Sequence, residues 1–271
     1  MRIFVAGLRK MVGRPASFVS VALLVGLLGL ILLASATVGQ QDDSPRGRAA
    51  AQALLTFPGA YDIILSFLFG LGGLVAVIYG AAIAGSEWSW GTLKNAVARG
   101  ESRARYMLGT FGAIVVMVAV GLALSFGLCV LLALLAATIA GVLTSGVSDP
   151  DTLARLPAMA ARGWFAVVEQ AALGYAIATL ARSQLAGIGA GIAFYFGEGF
   201  ATIFLPDIIK YMPFAVARAS VATEGSSGRF GGGAGAVAAL PADTALVLVG
   251  VWLVGALAVT VLFTERAEIT G

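Results

Sequence analysis

Charge is almost absent from long stretches of this chain and crowded into the short segments between them. Uncharged runs cover 15–41, 63–86, 106–148, 183–197 and 245–264. A helix needs about 20 apolar residues to cross the hydrocarbon core of a bilayer. The runs are continuous and rich in Leu, Ala and Gly, where barrel strands would give short alternating segments. This pattern predicts an all-α polytopic membrane protein, one transmembrane domain over 1–271, with six spans at about 17–38, 61–84, 106–141, 161–180, 185–205 and 244–263. As a single helix the run 106–148 would be about 64 Å long, roughly twice the hydrocarbon thickness. It must therefore project beyond the membrane or break, and Gly141 to Gly146 is the place for a break.

The connecting segments complete the expected layout. Residues 1–14 intersperse Arg2, Arg9, Lys10 and Arg14 with Ile3, Phe4, Val5, Leu8, Met11 and Val12, which suits an interfacial helix or a plain basic flank. The Ala34-Ser35-Ala36 triplet resembles a signal-peptidase site. The apolar run before it is longer than a leader's 7–15 residues, so the segment reads as an uncleaved span. Outer loops are expected at 40–60, with a helical turn, and at 145–156. A four-residue turn, 181–184, leads into a fifth span whose Gly187, Gly189, Gly191, Gly197 and Gly199 favour close helix packing. The outer segment 206–243 starts semi-apolar and turns Gly/Ser-rich over 226–235, a composition expected to be mobile.

Composition agrees with a membrane class and removes others. Of 271 residues 59% are hydrophobic and 11% charged, against about 25% charged in soluble domains. With no histidine and a single cysteine, Cys129, the chain has no internal disulfide, no Cys/His zinc set and no Ser-His triad. Six spans place both ends of the chain on one side. That side would hold Arg2, Arg9, Lys10, Arg14, Lys94, Arg99, Arg103, Arg105, Arg182 and Arg266, ten of the 17 Lys and Arg. The excess lies in the shortest loops and the N-terminal tail, so both termini are expected in the cytoplasm, with the protein in the cytoplasmic membrane. The formal net charge of +3 reads as this leaflet bias and not as a nucleic-acid surface.

The densest charge interrupts spans two and three, at 86–105. As a helix, Trp90, Leu93 and Val97 share one face, and Thr92, Lys94, Asn95 and Arg99 take the others. Ser89 is the expected N-cap and Gly100 the expected stop. Gly91 costs such a helix about 1 kcal/mol relative to Ala, which would make sense if another surface comes close there.

Glu87-Trp88-Ser89-Trp90-Gly91-Thr92-Leu93-Lys94, followed by Ala98-Arg99-Gly100-Glu101-Ser102-Arg103, resembles the segment between the second and third spans of ABC-2 type transporter permeases. The turn Leu180-Ala181-Arg182-Ser183-Gln184 into a Gly-rich span is similar to the same family, as is Tyr211-Met212-Pro213-Phe214. Thr110, where relatives often carry lysine, and the tail Phe263-Thr264-Glu265-Arg266-Ala267-Glu268 depart from it. The resemblance implies the type V exporter-like permease fold and export of a hydrophobic or amphipathic substrate. It implies no enzyme activity and no cofactor in this chain, with ATP and Mg held by two copies of a separate ATPase subunit and a second permease completing a dimer in the lipid bilayer. No lysine here sits in Gly-x4-Gly-Lys-Ser/Thr. Residues 87–100 would be the coupling helix, with Glu87, Trp88, Trp90, Gly91, Thr92, Leu93, Lys94, Val97 and Arg99 at the ATPase. Its apolar residues would fill the ATPase groove, and Lys94 and Arg99 would meet an acidic rim.

Glu169 in span four and Glu198 in span five are the other candidates. A charge at mid-membrane costs about 2.5–3.5 kcal/mol on insertion scales, so each either joins helices or lines a path for a cationic or polar substrate. Phe194, Tyr195 and Phe196 read as packing or lipid-facing. Three other classes compete: a secondary transporter, which would show an internal repeat, an intramembrane enzyme, and the anchor of a non-transporting ABC-type complex.

Overall fold

Each long apolar run folds as a continuous helix, because a backbone in lipid must satisfy its own hydrogen bonds. The computed structural model describes residues 2–41, 44–221 and 240–267. In order, the helices are α1 (Arg2–Val12), α2 (Pro15–Gln41), α3 (Pro45–Ala53), α4 (Gly59–Ser89), α5 (Thr92–Ala98), α6 (Arg103–Ala140), α7 (Pro150–Ala181), α8 (Gln184–Ala201), α9 (Pro206–Ile209), α10 (Pro213–Val221) and α11 (Ala242–Arg266). A 3-10 turn, Ser145–Ser148, precedes α7. All regular elements among the described residues are helical.

Among the described residues five helices are long and apolar enough to cross a membrane: α2, α4, α6, α7 and α11. The expected fifth span, 185–205, is helical only from Gln184 to Ala201, 18 residues. That is about 27 Å of helix, shortened at its far end and carrying Glu198, so the count of six rests on a helix that is marginal by itself. The run 106–148 stays helical for most of its length. α6 is 38 residues long and stops at Gly141, whose φ of 69° is left-handed. Helix also claims much of the expected loop 145–156, because Asp149 accepts the Thr152 N–H and caps α7 one residue before Pro150.

The core is built on α4 and α7, which touch backbone to backbone. A Cβ on Gly80 would lie 2.1 Å from the Ala171 carbonyl oxygen, and one on Gly174 would lie 2.0 Å from that of Val77. No side chain fits at either position, and the small residues let dispersion contacts act along the whole crossing. Around this pair, α8 packs on α4 and α7, α10 and α11 on α7, and α1 and α2 on α6. The lipid-directed faces stay apolar, as in Val247, Val251 and Val254 of α11.

The segment expected as an outer loop is partly inside. Phe214, Val216 and Ala217 of α10 are fully buried, and the Phe214 ring meets Phe194 and Tyr195 of α8 edge-on. The Gly/Ser-rich part, 226–235, lies outside the described residues, as does Glu268.

Candidate functional site

One end of the bundle gathers the basic residues. Lys10 of α1 reaches Glu87 near the end of α4, Arg182 of the α7–α8 turn lies 5.4 Å over Trp88 and 5.2 Å over Phe263, and Arg103 reaches the last carbonyls of α11. Three of the ten cations that the charge bias assigns to one side, Lys10, Arg103 and Arg182, thus lie at one end of the molecule.

Glu87 is the centre of this end. It is 1% exposed, and a buried carboxylate is tolerated only when its lone pairs are taken up by donors. Lys10 Nζ donates to Oε1 at 2.6 Å, and Tyr106 OH donates to Oε2 at 2.5 Å. The Thr92 hydroxyl donates to Oε2 as well. These donors come from α1, from the first turn of α6 and from the first residue of α5. One side chain thus ties four elements, including the start of the short helix that leaves the end of α4. Beside it, Arg14 Nη1 donates to Ser86 Oγ at 3.1 Å while its guanidinium lies 5.0 Å over Trp90. Charge-assisted bonds of this kind are about twice as strong as neutral ones.

The turn between α4 and α5 follows from one residue. Gly91 has φ 66°, the left-handed region that a Cβ disfavours by about 1–2 kcal/mol. Space around it is open, and a methyl group placed there would meet nothing within 4 Å. Gly91 is therefore a turn glycine, required by its φ and not by a close neighbour within this chain. Ser89 lies within α4 and caps nothing, whereas Gly100, at φ 87°, does end the segment.

The apolar face of α5 points inward, which corrects the expectation that Leu93 and Val97 fill an ATPase groove. Leu93 is 1% exposed in the main core and Val97 packs against that core. Sequence periodicity finds the apolar face and leaves open whether the chain itself covers it; here it does. The outward face is Trp90, 63% exposed, with Lys94, Asn95, Ala98 and Arg99. Trp88 is half-buried, edge-on to Phe263 at 6.4 Å. Glu87, Thr92, Leu93 and Val97 thus hold α5 in place, while Trp90, Lys94 and Arg99 lie on the face turned away from the bundle. A cavity of about 510 Å³ opens between α1, α5 and α6, lined by Lys10, Arg14, Glu87, Arg99 and Glu101 among others.

The two intramembrane glutamates have different surroundings. Glu198 accepts the Phe214 N–H at 3.1 Å and the Ala215 N–H, with Arg218 at 3.8 Å. It caps the buried α10 from α8, a joining role that occupies both oxygens. Glu169 is fully buried in α7, and neither carboxyl oxygen has a hydrogen-bond partner among the described residues. Among the described residues no three His, Cys, Asp or Glu side chains gather as a metal site.

Sequence reasoning passed over Lys10, Arg14, Tyr106, Arg182 and Phe263. The available signal was that Glu87 needs a counter-charge and that the N-terminal basic segment lies on the same side. No family model matches this chain, and no curated protein is significantly similar to it.

Proposed function

We propose that this chain is the membrane subunit of an ATP-driven exporter of the ABC-2 type, with six spans and its basic end in the cytoplasm. The observation that carries the reading is the construction of α5. A short helix with an outward face of Trp90, Lys94, Asn95 and Arg99 is bound through Glu87 to the end of α4, the most central long helix. A push on α5 from outside would pass through Thr92, Glu87 and the α4 backbone into the α4–α7 pair. In this reading α8 is the fifth of six spans, completed at its short end by α9 and α10, and a separate ATPase supplies the force. Its cargo would be a hydrophobic or amphipathic molecule, and a second permease would form the other half of the pathway.

A photocrosslinking residue placed at Asn95 in cells tests this. It should capture a protein bearing Gly-x4-Gly-Lys-Ser/Thr, identified by mass spectrometry, while the same residue at Val247 on α11 should not. Capture of no such protein from Asn95, with the crosslinker reacting only with lipid or with the far side of the membrane, would refute it.

A further inference from the structure

The groove between α1, α2, α4 and α6 is an apolar slot about the size of one acyl chain. It encloses about 390 Å³, and the side chains around it are almost wholly apolar, Leu24, Val75, Val116 and Leu124 among them. Its depth can be measured along its walls. From Val116 to Ser125 on α6 it follows nine residue steps, about 13.5 Å at 1.5 Å each. That is close to half of the roughly 30 Å hydrocarbon thickness, the depth of a single leaflet.

The floor is set by small residues. Gly121 faces Val21 and Gly72 faces Leu24 and Leu122, each at ordinary van der Waals distance from a methyl placed there. Side chains of ordinary size at these glycines would reach into the space. The groove is also open laterally, since Phe18, Val120 and Leu124 on its walls are exposed.

One mouth lies at α1. Leu8 and Val12 of α1 close the groove at the α1–α2 elbow, with the Ser17 and Tyr79 hydroxyls 2.9 Å apart beside them. Val5, Arg9 and Val12 form the exposed stripe of α1. Arg9 has no carboxylate within ion-pair distance among the described residues, whereas Lys10 on the next position is paired with Glu87. Arg9 adjoins Leu8 in the sequence and shares the exposed stripe of Val12, and both of those line the mouth; a cation beside an apolar slot of one-leaflet depth complements an anionic headgroup joined to an acyl chain. We infer that this groove holds one acyl chain of an anionic phospholipid from the leaflet beside α1, with its phosphate at Arg9. The inference is independent of whether the chain transports anything.

The full chain, reconstituted in phosphatidylcholine vesicles, is tested with two phospholipid probes that carry a diazirine in one acyl chain. One has a phosphatidylglycerol head and the other a phosphatidylcholine head. After illumination the labelled peptides are mapped by mass spectrometry. The phosphatidylglycerol probe should label the 72–76 and 116–125 peptides at least fivefold more than the exposed face of α11 around Val251. Arg9→Gln should bring its groove labelling down to that of the phosphatidylcholine probe. Gly121→Phe, which fills the floor, should remove groove labelling in protein that elutes like wild type; if it misfolds, Val75→Trp serves the same purpose. Equal labelling of groove and α11 would show annular lipid only and overturn the site. Groove labelling that ignores both the headgroup and Arg9→Gln would overturn the assignment of an anionic lipid.

Discussion

Replacing Glu87 by Gln keeps the shape of the side chain and removes the charge that three donors share. Lys10 then loses a 2.6 Å ion pair, and the amide group presents its own NH2 to one of the hydroxyls of Tyr106 and Thr92. A hydrogen bond to a charged group contributes about 1.5–3 kcal/mol, and an unmet buried donor costs about 1–3 kcal/mol. Removing one partner of a fully buried pair costs about 3–5 kcal/mol. Lys10 is 34% exposed and can turn to water, so the lower part of that range applies. The balance is about 3 kcal/mol, near a hundredfold in an opening equilibrium at 1.36 kcal/mol per decade. The loss should be local, because Glu87 joins the surface helices and not the α4–α7 crossing. Hydrogen exchange followed by mass spectrometry in nanodiscs should show about hundredfold faster exchange in α1 and α5, with the middle of α4 and α7 unchanged. Glu87→Asp should fall between the two. Unchanged exchange in α1 and α5 of the Gln variant would refute the view that this carboxylate holds them.

Other outcomes follow from single contacts. Gly174→Leu forces side-chain atoms into the Val77 carbonyl and should cost more than about 3 kcal/mol, seen as loss of a monodisperse peak in size-exclusion chromatography; Gly189→Ala, with open space around it, should elute as wild type. Gly91→Ala meets no neighbour but must hold φ 66°, so hydrogen exchange should be about fivefold faster in α5 alone, a local loss of about 1 kcal/mol. Asp149, whose carboxyl is held below its ordinary value of 3.8 by the Thr152 hydroxyl and N–H, gives a pH test. A depressed pKa means that the cap contributes above pH 3.8 and is lost as pH falls through the lower folded value. Exchange at the first turn of α7 should therefore rise below about pH 4 in wild type and stay flat with pH in Asp149→Asn, once the intrinsic exchange rate is corrected.

The parts legible in the sequence were those set by one continuous local property. Uncharged length located α2, α4, α6 and α11 to within a few residues at most ends, because lipid forces such runs to be helical, whereas α7, which carries Arg155, Arg162 and Glu169, begins 11 residues before the expected 161. Glu87 stood out as a charge at the edge of an apolar run, and Gly100 as a stop. What failed depended on partners distant in the chain. Lys10 and Glu87 are 77 residues apart, and no periodicity encodes such a pairing. Leu93 looked like a docking residue because its own core partners are not its sequence neighbours. The burial of α10 was hidden for the same reason, since its cap, Glu198, comes from α8 and reads alone as a stray charge. The turn at Gly91 is equally hidden, because a turn glycine and a close-contact glycine are identical in sequence and only φ shows the turn.

The most direct test of the central claim is ATP hydrolysis by any ATPase that crosslinking at Asn95 captures, measured with this chain in vesicles. The wild-type chain should stimulate hydrolysis, and Glu87→Gln should bind the ATPase equally well yet lose most of that stimulation. Stimulation by Glu87→Gln equal to wild type would contradict coupling through this carboxylate. Gradient-driven uptake by vesicles that hold this chain alone would contradict the exporter reading as a whole.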